Sequence, residues 1–75
     1  MRVERLVAMA NDIGAFFNAE PDKVEAAKSI AGHLKRFWDP RMRRQIVTHY
    51  REGGAGLDDV VRSAIHLLSD GNGQR

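Results

Sequence analysis

The chain has 75 residues, of which 12 are Lys or Arg and 10 are Asp or Glu, and its formal net charge is only +2. At this length folding hides only about 60% of the surface that an unfolded chain exposes, so the sequence predicts a single domain with a marginal core. The chain contains no cysteine, which excludes disulfides, zinc knuckles and cysteine-held iron–sulfur clusters.

The first stretch of the chain, MRVERLVAMAND, carries the charged residues Arg2, Glu4, Arg5 and Asp12. It therefore lacks the uninterrupted apolar core of a signal peptide. No apolar run elsewhere in the sequence approaches the length that spans a membrane. These features predict a cytoplasmic protein that does not bind membranes.

A first helix is predicted over residues 2–17. Apolar residues recur there at steps of three and four, which places them on one side of a helix that turns about 100° per residue. The residues of this stripe are Val3, Leu6, Val7, Ala10, Ile13, Gly14 and Phe17. Met9 and Phe16 lie beside the stripe and widen the apolar face, so we predict that both contact a partner.

A second helix is predicted over residues 21–37. Pro21 suits the first turn of a helix, where its missing N–H group costs no hydrogen bond, and Asp22 and Glu25 favour the positive end of the helix dipole. The apolar line of this helix consists of Val24, Ala27, Ala31, Leu34 and Trp38. Phe37 and Trp38 end the helix, and we predict that both rings contact a partner.

The pair Asp39–Pro40 predicts a corner between two helices. Pro40 disfavours helical backbone at Asp39, and the Asp39 side chain can then cap a third helix that starts at Pro40. We predict this helix over residues 40–52, with Trp38 packed across the corner. Asp39 and Pro40 are therefore assigned structural roles.

The third helix carries a narrow apolar line and a row of arginines on another face. The apolar line consists of Met42, Ile46, His49 and Tyr50. The row consists of Arg41, Arg44 and Arg51, at steps of three and seven residues. We predict that this row is exposed and binds a partner, because Arg is enriched at the residues that dominate protein interfaces.

The remaining sequence predicts a helix cap, a fourth helix and a tail. REGGAG supplies the cap and a flexible link, and a helix follows over residues 58–69 with two Asp residues in its first turn. Residues 70–75 are predicted to be a flexible tail. No segment has the pattern of a strand, so the fold class is all-α: a compact bundle of about four short helices, without a sheet, in one domain over residues 1–69.

Catalytic and metal sites are poorly supported by residue spacing. The His residues fall on three different predicted helices, so no two of them have the i and i+4 spacing at which one helix presents metal ligands. Ser29 or Ser63 can be combined with a His and an acid, but no strand–turn–helix element presents either hydroxyl as a nucleophile. The glycines of EGGAG follow no strand, which favours a helix cap over a phosphate cradle. We predict that the chain is not an enzyme and holds no metal or cofactor.

The stretch HLKRFWDPRMRRQI holds many of the cations and the single Trp of the chain, and three interpretations fit it. Its cations could neutralise phosphates while the Trp ring stacks on a base, as in a small nucleic-acid-binding helical module. The same residues could form a solvated helix face. They could also form a protein interface, and the apolar flank could then make the chain self-associate.

The sequence contains three distinctive segments, in this order: RLVAMANDIGAFF, IAGHLKRFWDPRMRRQIVTH and GGAGLDDVVRSAI. Together they resemble the delta subunit family of NAD-dependent, molybdenum-containing formate dehydrogenases. The resemblance covers nearly the whole chain. Its most specific element is HLKRFWDPRMR, and MAN followed by FF is a supporting element.

This resemblance implies a small accessory subunit without catalytic residues or a cofactor of its own. Its partners would be the large catalytic subunit of a formate dehydrogenase and the associated subunits, which would carry bis-molybdopterin guanine dinucleotide, iron–sulfur clusters and FMN. The chain would assist assembly, cofactor maturation or stability of the complex. A nucleic-acid-binding module and a self-associating helical protein remain the alternatives.

Overall fold

The computed structural model describes residues 2–73, and the regular structure of these residues is entirely helical. The helices are α1 (Val3–Phe16), α2 (Lys23–Phe37), α3 (Pro40–Arg51) and α4 (Asp59–Gly73). Residues 2–73 contain no strand, so the predicted all-α bundle of four short helices is confirmed. No helix among these residues is long and apolar enough to cross a membrane.

The end of α4 differs most from the helix ends expected from sequence. The helix continues to Gly73, so residues 70–73, which the sequence places in a flexible tail, are helical. His66 and Asp70 lie one turn apart, and His66 Nε2 approaches Asp70 Oδ2 to 3.4 Å, which supports the turn between them. The last two residues of the expected tail, 74 and 75, lie outside the described part of the chain.

All four helices contribute to one hydrophobic core. Trp38, at the end of α2, joins this core with only 5% of its surface exposed. The most extensive helix contact is between α2 and α4, which contribute Ala27, Ala31 and Ala64 to the core. The largest fully buried side chains are Leu6, Ile30, Leu34, Ile46, Val61 and Ile65.

Gly14 lies where α1 packs against α4 and α2. A Cβ atom at Gly14 would lie 2.5 Å from Cγ2 of Val61 and 3.9 Å from Cδ1 of Ile30. Val61 is fully buried and its methyl group has little room to move. A glycine in the interior of α1 therefore permits a helix contact that any side chain would obstruct.

The two central helices begin with an aspartate cap. Asp22 Oδ1 accepts hydrogen bonds from the backbone N–H groups of Val24 and Glu25 at the start of α2. Asp39 Oδ1 accepts from the backbone N–H of Met42 at 2.9 Å, and Pro40 occupies the first turn of α3. Each carboxylate satisfies N–H groups that have no partner inside the helix.

The segment after α3 forms a Schellman cap, in which the first two residues after the capping residue bind carbonyls of the last helical turn. The Gly53 N–H donates to Tyr50 O at 3.1 Å, and the Gly54 N–H donates to His49 O at 2.9 Å. Gly53 and Gly54 have φ angles of 119° and 63°, which side-chain-bearing residues rarely adopt. The glycines thus end α3 and turn the chain towards α4.

Two side chains from other helices hold this segment in place. Asn11 of α1 donates from Nδ2 to Gly56 O at 2.9 Å, and its Oδ1 accepts from the Asp58 N–H at 3.0 Å. Arg62 of α4 donates from Nη2 to the Gly53 and Gly54 carbonyls at 2.8 and 3.2 Å. The connection between α3 and α4 is therefore anchored from two sides.

Replacing Gly14 by Ala should lower the free energy of unfolding, whereas replacing Gly32 by Ala should raise it. A Cβ at Gly32, on the exposed side of α2, would meet no atom within 4 Å. Gly32→Ala should therefore gain about 0.5–1 kcal/mol from helix propensity alone. At Gly14 the same gain in helix propensity is outweighed, because overpacking against Val61 should cost about 1–3 kcal/mol of unfolding free energy. Urea unfolding of both variants tests this, and a more stable Gly14→Ala variant would contradict the close packing.

Replacing Asp39 by Ala should cost about 1 kcal/mol of unfolding free energy, because the Met42 N–H loses its acceptor. Asp39→Asn is the matched control, since it removes the same charge but keeps a capping oxygen, and it should cost only a few tenths of a kcal/mol. Thermal or urea unfolding measures both. Equal losses in the two variants would show that the charge of Asp39, rather than its cap, stabilises the corner.

Candidate protein-binding surface

The corner between α2 and α3 is built from residues with internal partners. Trp38, although assigned to partner binding from sequence, lies in the core, so its ring is not available at the surface of the chain. Arg43 extends from α3 back to the end of α2, where its Nη1 donates to Lys35 O at 3.1 Å and also to Trp38 O. These carbonyls belong to the negative end of α2, which a guanidinium stabilises.

Arg43 was not identified from sequence as a structural residue. It lies apart from the other arginines of α3 when they are placed on a helix, and this is the only indication that the sequence offers. Its role depends on the angle between α2 and α3, which brings the last carbonyls of α2 within reach of its side chain. Helix periodicity does not specify that angle.

The predicted row of arginines on α3 is divided by the structure. Arg51 donates from Nη2 to Oγ of the buried residue Ser69 at 2.8 Å, which ties α3 to α4. Arg41 and Arg44 are exposed, and neither makes a hydrogen bond or an ion pair with another residue in the described part of the chain. Two of the three predicted arginines therefore have no hydrogen-bond or ion-pair partner among the described residues.

Arg41 and Arg44 line a groove beside the start of α1. Its volume is about 490 Å³. The groove is lined by Val3, Arg41, Arg44, Gln45, Thr48, His49 and Glu52. The Glu52 carboxylate is the single acidic group among these residues, so the lining carries an excess of positive charge. A groove of this composition favours an anionic group of a partner over a cationic one.

Phe37 is the exposed aromatic residue of the corner. Although it lies in the last turn of α2, 66% of its surface is exposed. Its ring centroid lies 4.7 Å from that of His33, and Cζ of Arg36 lies 5.8 Å from the ring centroid. These contacts hold the ring on the surface beside a guanidinium, in a cation–π arrangement.

The other two apolar residues predicted to bind a partner lie on α1. Met9 is partly buried and packs against the core, so little of its side chain is available. Phe16 is 85% exposed, and its ring meets that of Phe17 edge to face with the centroids 6.3 Å apart. Phe16 and Phe37 lie at the ends of two different helices.

Charge is separated along α2. Exposed cations lie at its C-terminal end and in the first half of α3. Together with Phe37 they define a surface that we call the basic corner: Lys35, Arg36, Phe37, Arg41 and Arg44. Three acids lie at or next to its N-terminal end: Glu20, Asp22 and Glu25. Two more, Asp58 and Asp59, line a groove together with Lys23 of the same end. At 1.5 Å per residue the two ends of α2 lie about 21 Å apart. The basic corner is therefore separated from these five acids, whereas Asp39 lies within the corner and Glu52 lines the groove with Arg41 and Arg44.

A metal site and a catalytic site each have requirements that the described polar side chains would have to meet. Residues 2–70 contain no group of three or more His, Asp or Glu side chains that could hold a metal ion. Tyr50 Oη lies 3.0 Å from His66 Nδ1, but this contact and the one from His66 to Asp70 link neighbouring surface side chains of α3 and α4. Ser63 donates to the carbonyl of Asp59 in its own helix.

Burial and internal contacts also weaken the nucleic-acid interpretation. The ring best suited to stacking, Trp38, is in the core. Arg43, Arg51 and Arg62 each donate to groups within the protein. The exposed cations of the corner fall between residues 35 and 44, and acids lie at the other end of α2, so α2 does not carry the long basic stripe that follows a nucleic-acid backbone.

Comparison with known proteins identifies a family. A family model described as "NADH-dependant formate dehydrogenase delta subunit FdsD" matches residues 5–65, which is most of the chain. The match includes all of α2 and α3, and with them the basic corner. No curated protein and no solved structure matches the chain.

Proposed function

The chain belongs to the family of NADH-dependent formate dehydrogenase delta subunits, and from that membership we propose that it is a non-catalytic subunit that binds the large catalytic subunit through the basic corner. A delta subunit belongs to a formate dehydrogenase complex, so partner chains are part of its function. Which partner the chain contacts, and with which surface, is the proposal.

The proposal rests on a difference among the arginines: some bind groups within the protein, and others do not. Arg43, Arg51 and Arg62 donate to carbonyl or hydroxyl groups of the protein, and their loss would damage the fold. Arg41 and Arg44 have no such contact among the described residues. Their planar guanidinium groups can pair with carboxylates of a partner in a fixed orientation.

The proposed role is to assist assembly, cofactor maturation or stability of the complex. Substrate chemistry would be performed by the large subunit, with its bis-molybdopterin guanine dinucleotide and iron–sulfur clusters, and by the FMN- and NADH-binding subunits. Residues 2–70 of the delta chain offer no metal-binding cluster, which fits a division of labour between subunits. We propose that the complex is cytoplasmic.

A charge reversal at Arg44 should separate binding from folding. Arg44→Glu should leave helix content and unfolding free energy nearly unchanged, because the side chain has no partner within the described residues. It should weaken capture by the large subunit by about 2 kcal/mol or more, roughly thirtyfold, if Arg44 pairs with a desolvated carboxylate. The yield of active, molybdenum-loaded enzyme should fall with it. Circular dichroism, surface-capture kinetics and metal analysis of the purified complex measure these effects.

The matched control is Arg5→Glu, which makes the same charge change at an exposed position of α1 that lines none of the grooves described above. Arg5→Glu should alter capture by less than about threefold, as expected of a rim or remote charge. An equal loss of capture in both variants would indicate a response to net charge alone. Unchanged capture and enzyme yield with Arg44→Glu would remove the basic corner from the interface.

A further inference from the structure

The exposed ring of Phe37 and the nearby cations would be complementary to one kind of partner surface. We infer that Phe37 is the central anchor of the interface and enters an apolar pocket of the large subunit whose rim is acidic. This inference rests on the proposed function and adds the chemistry of the surface that the delta chain recognises. Three steps lead to it: the availability of the ring, its orientation and the charge around it.

The first step is that the Phe37 ring is exposed although its apolar neighbours on α2 are buried. The core includes the preceding apolar residue of α2, Leu34, which is fully buried, and the following residue, Trp38. Phe37 lies between them in sequence and is 66% exposed. Burying the remaining apolar surface of an aromatic side chain against a partner is among the largest single contributions to binding.

The second step is that the ring is held in place before binding. His33 lies one helical turn earlier, and its ring is tilted by 46° to the Phe37 ring with a centroid distance of 4.7 Å. The Arg36 guanidinium lies on the ring at 5.8 Å. A side chain that is already oriented loses less conformational entropy when it enters a pocket, so more of the burial free energy appears as affinity.

The third step is the sign of the charge. Arg36 lies over the ring, and Lys35, Arg41 and Arg44 are exposed in the segments on either side of Phe37. The single acid between residues 35 and 44, Asp39, uses a carboxylate oxygen to cap α3. An extended chain of four residues spans about 14 Å at most, so Arg41 lies within that distance of Phe37. A pocket with carboxylates on its rim would match this charge, and one with a basic rim would be repelled.

An acidic protein surface is favoured over nucleic acid for the same site. Stacking platforms for single strands use successive aromatic rings along a basic groove. Here one ring is exposed at the corner, because Trp38 is buried. The acids at the other end of α2 would also repel a strand that continued past the corner.

Phe37→Ala and Val24→Ala test the anchor in the full-length chain. Val24 lies on the same helix and is 64% exposed, but it is among the acids at the start of α2, so its truncation is a matched control. Capture of each variant by the large subunit should show about thirtyfold weaker binding for Phe37→Ala, mostly through faster dissociation, and less than twofold for Val24→Ala. The Phe37→Ala effect should be the same at about 0.05 and 0.3 M salt, whereas that of Arg44→Gln should shrink as salt rises.

The outcomes separate this inference from the function on which it rests. If Arg44→Glu weakens capture and Phe37→Ala does not, the anchor is wrong and the basic corner remains the interface. If neither variant weakens capture, both the anchor and the proposed interface are wrong. A loss with Phe16→Ala, in the absence of one with Phe37→Ala, would move the anchor to the end of α1.

Two further measurements identify a different occupant of the same surface. Sedimentation of the isolated chain at low micromolar concentration should give the same mass for wild type and Phe37→Ala. Self-association that Phe37→Ala abolishes would make a second copy the occupant. Fluorescence anisotropy with a single-stranded oligonucleotide should show no binding at physiological salt, and tight binding that depends on Phe37 would replace the protein partner by nucleic acid.

Discussion

The close approach of α1 to α4 at Gly14 is the contact that lets α1 complete the core formed by the other helices. A chain of this length has few residues with which to fill a core, so its helices must lie close together to exclude water. The 2.5 Å from a Cβ at Gly14 to Val61 leaves no room for a side chain, and α2 presents small residues, Ala27 and Ala31, to the same core. The core therefore contains several alanines and one Trp beside its Leu, Ile and Val residues. Two of the three Phe rings, those of Phe16 and Phe37, lie largely outside it.

Periodicity predicted the helices because each helix carries its apolar residues at steps of three and four, and because Asp and Pro or Gly stand at the breaks. The corner at Asp39 was predictable for the same local reason. The partners of the arginines were not predictable, since Arg43 reaches the end of α2 only at the observed helix angle and Arg51 finds Ser69 eighteen residues later in the chain. Trp38 shows the same limit: its residue type suits an interface as well as a core, and tertiary packing decides between them.

The sequence elements that carry the family resemblance have structural explanations for many of their residues. Asn11, in the MAN element, holds the connection between α3 and α4 through both atoms of its amide. In the element HLKRFWDPRMR, Trp38 fills the core, Asp39 caps α3 and Arg43 binds the end of α2. What this element leaves on the surface, after folding has used those residues, is an aromatic ring and cations. The element therefore encodes a corner and, on its outside, a surface of defined chemistry.

The size of the chain limits how this surface can work. A standard interface removes about 800 Å² from each partner, which would be about a sixth of the 4888 Å² that this chain exposes. The basic corner can supply only the centre of such an interface, and the groove beside Arg41 and Arg44 extends it towards Val3 of α1. Affinity would then depend on a few desolvated contacts, as is usual for interfaces, and not on total area. An arginine held by the fold cannot serve as one of those contacts without disturbing the fold. Arg43 and Arg44 are neighbours in sequence, but only Arg43 binds the end of α2. In the proposed interface, Arg44 can therefore pair with a partner while Arg43 keeps the corner in place.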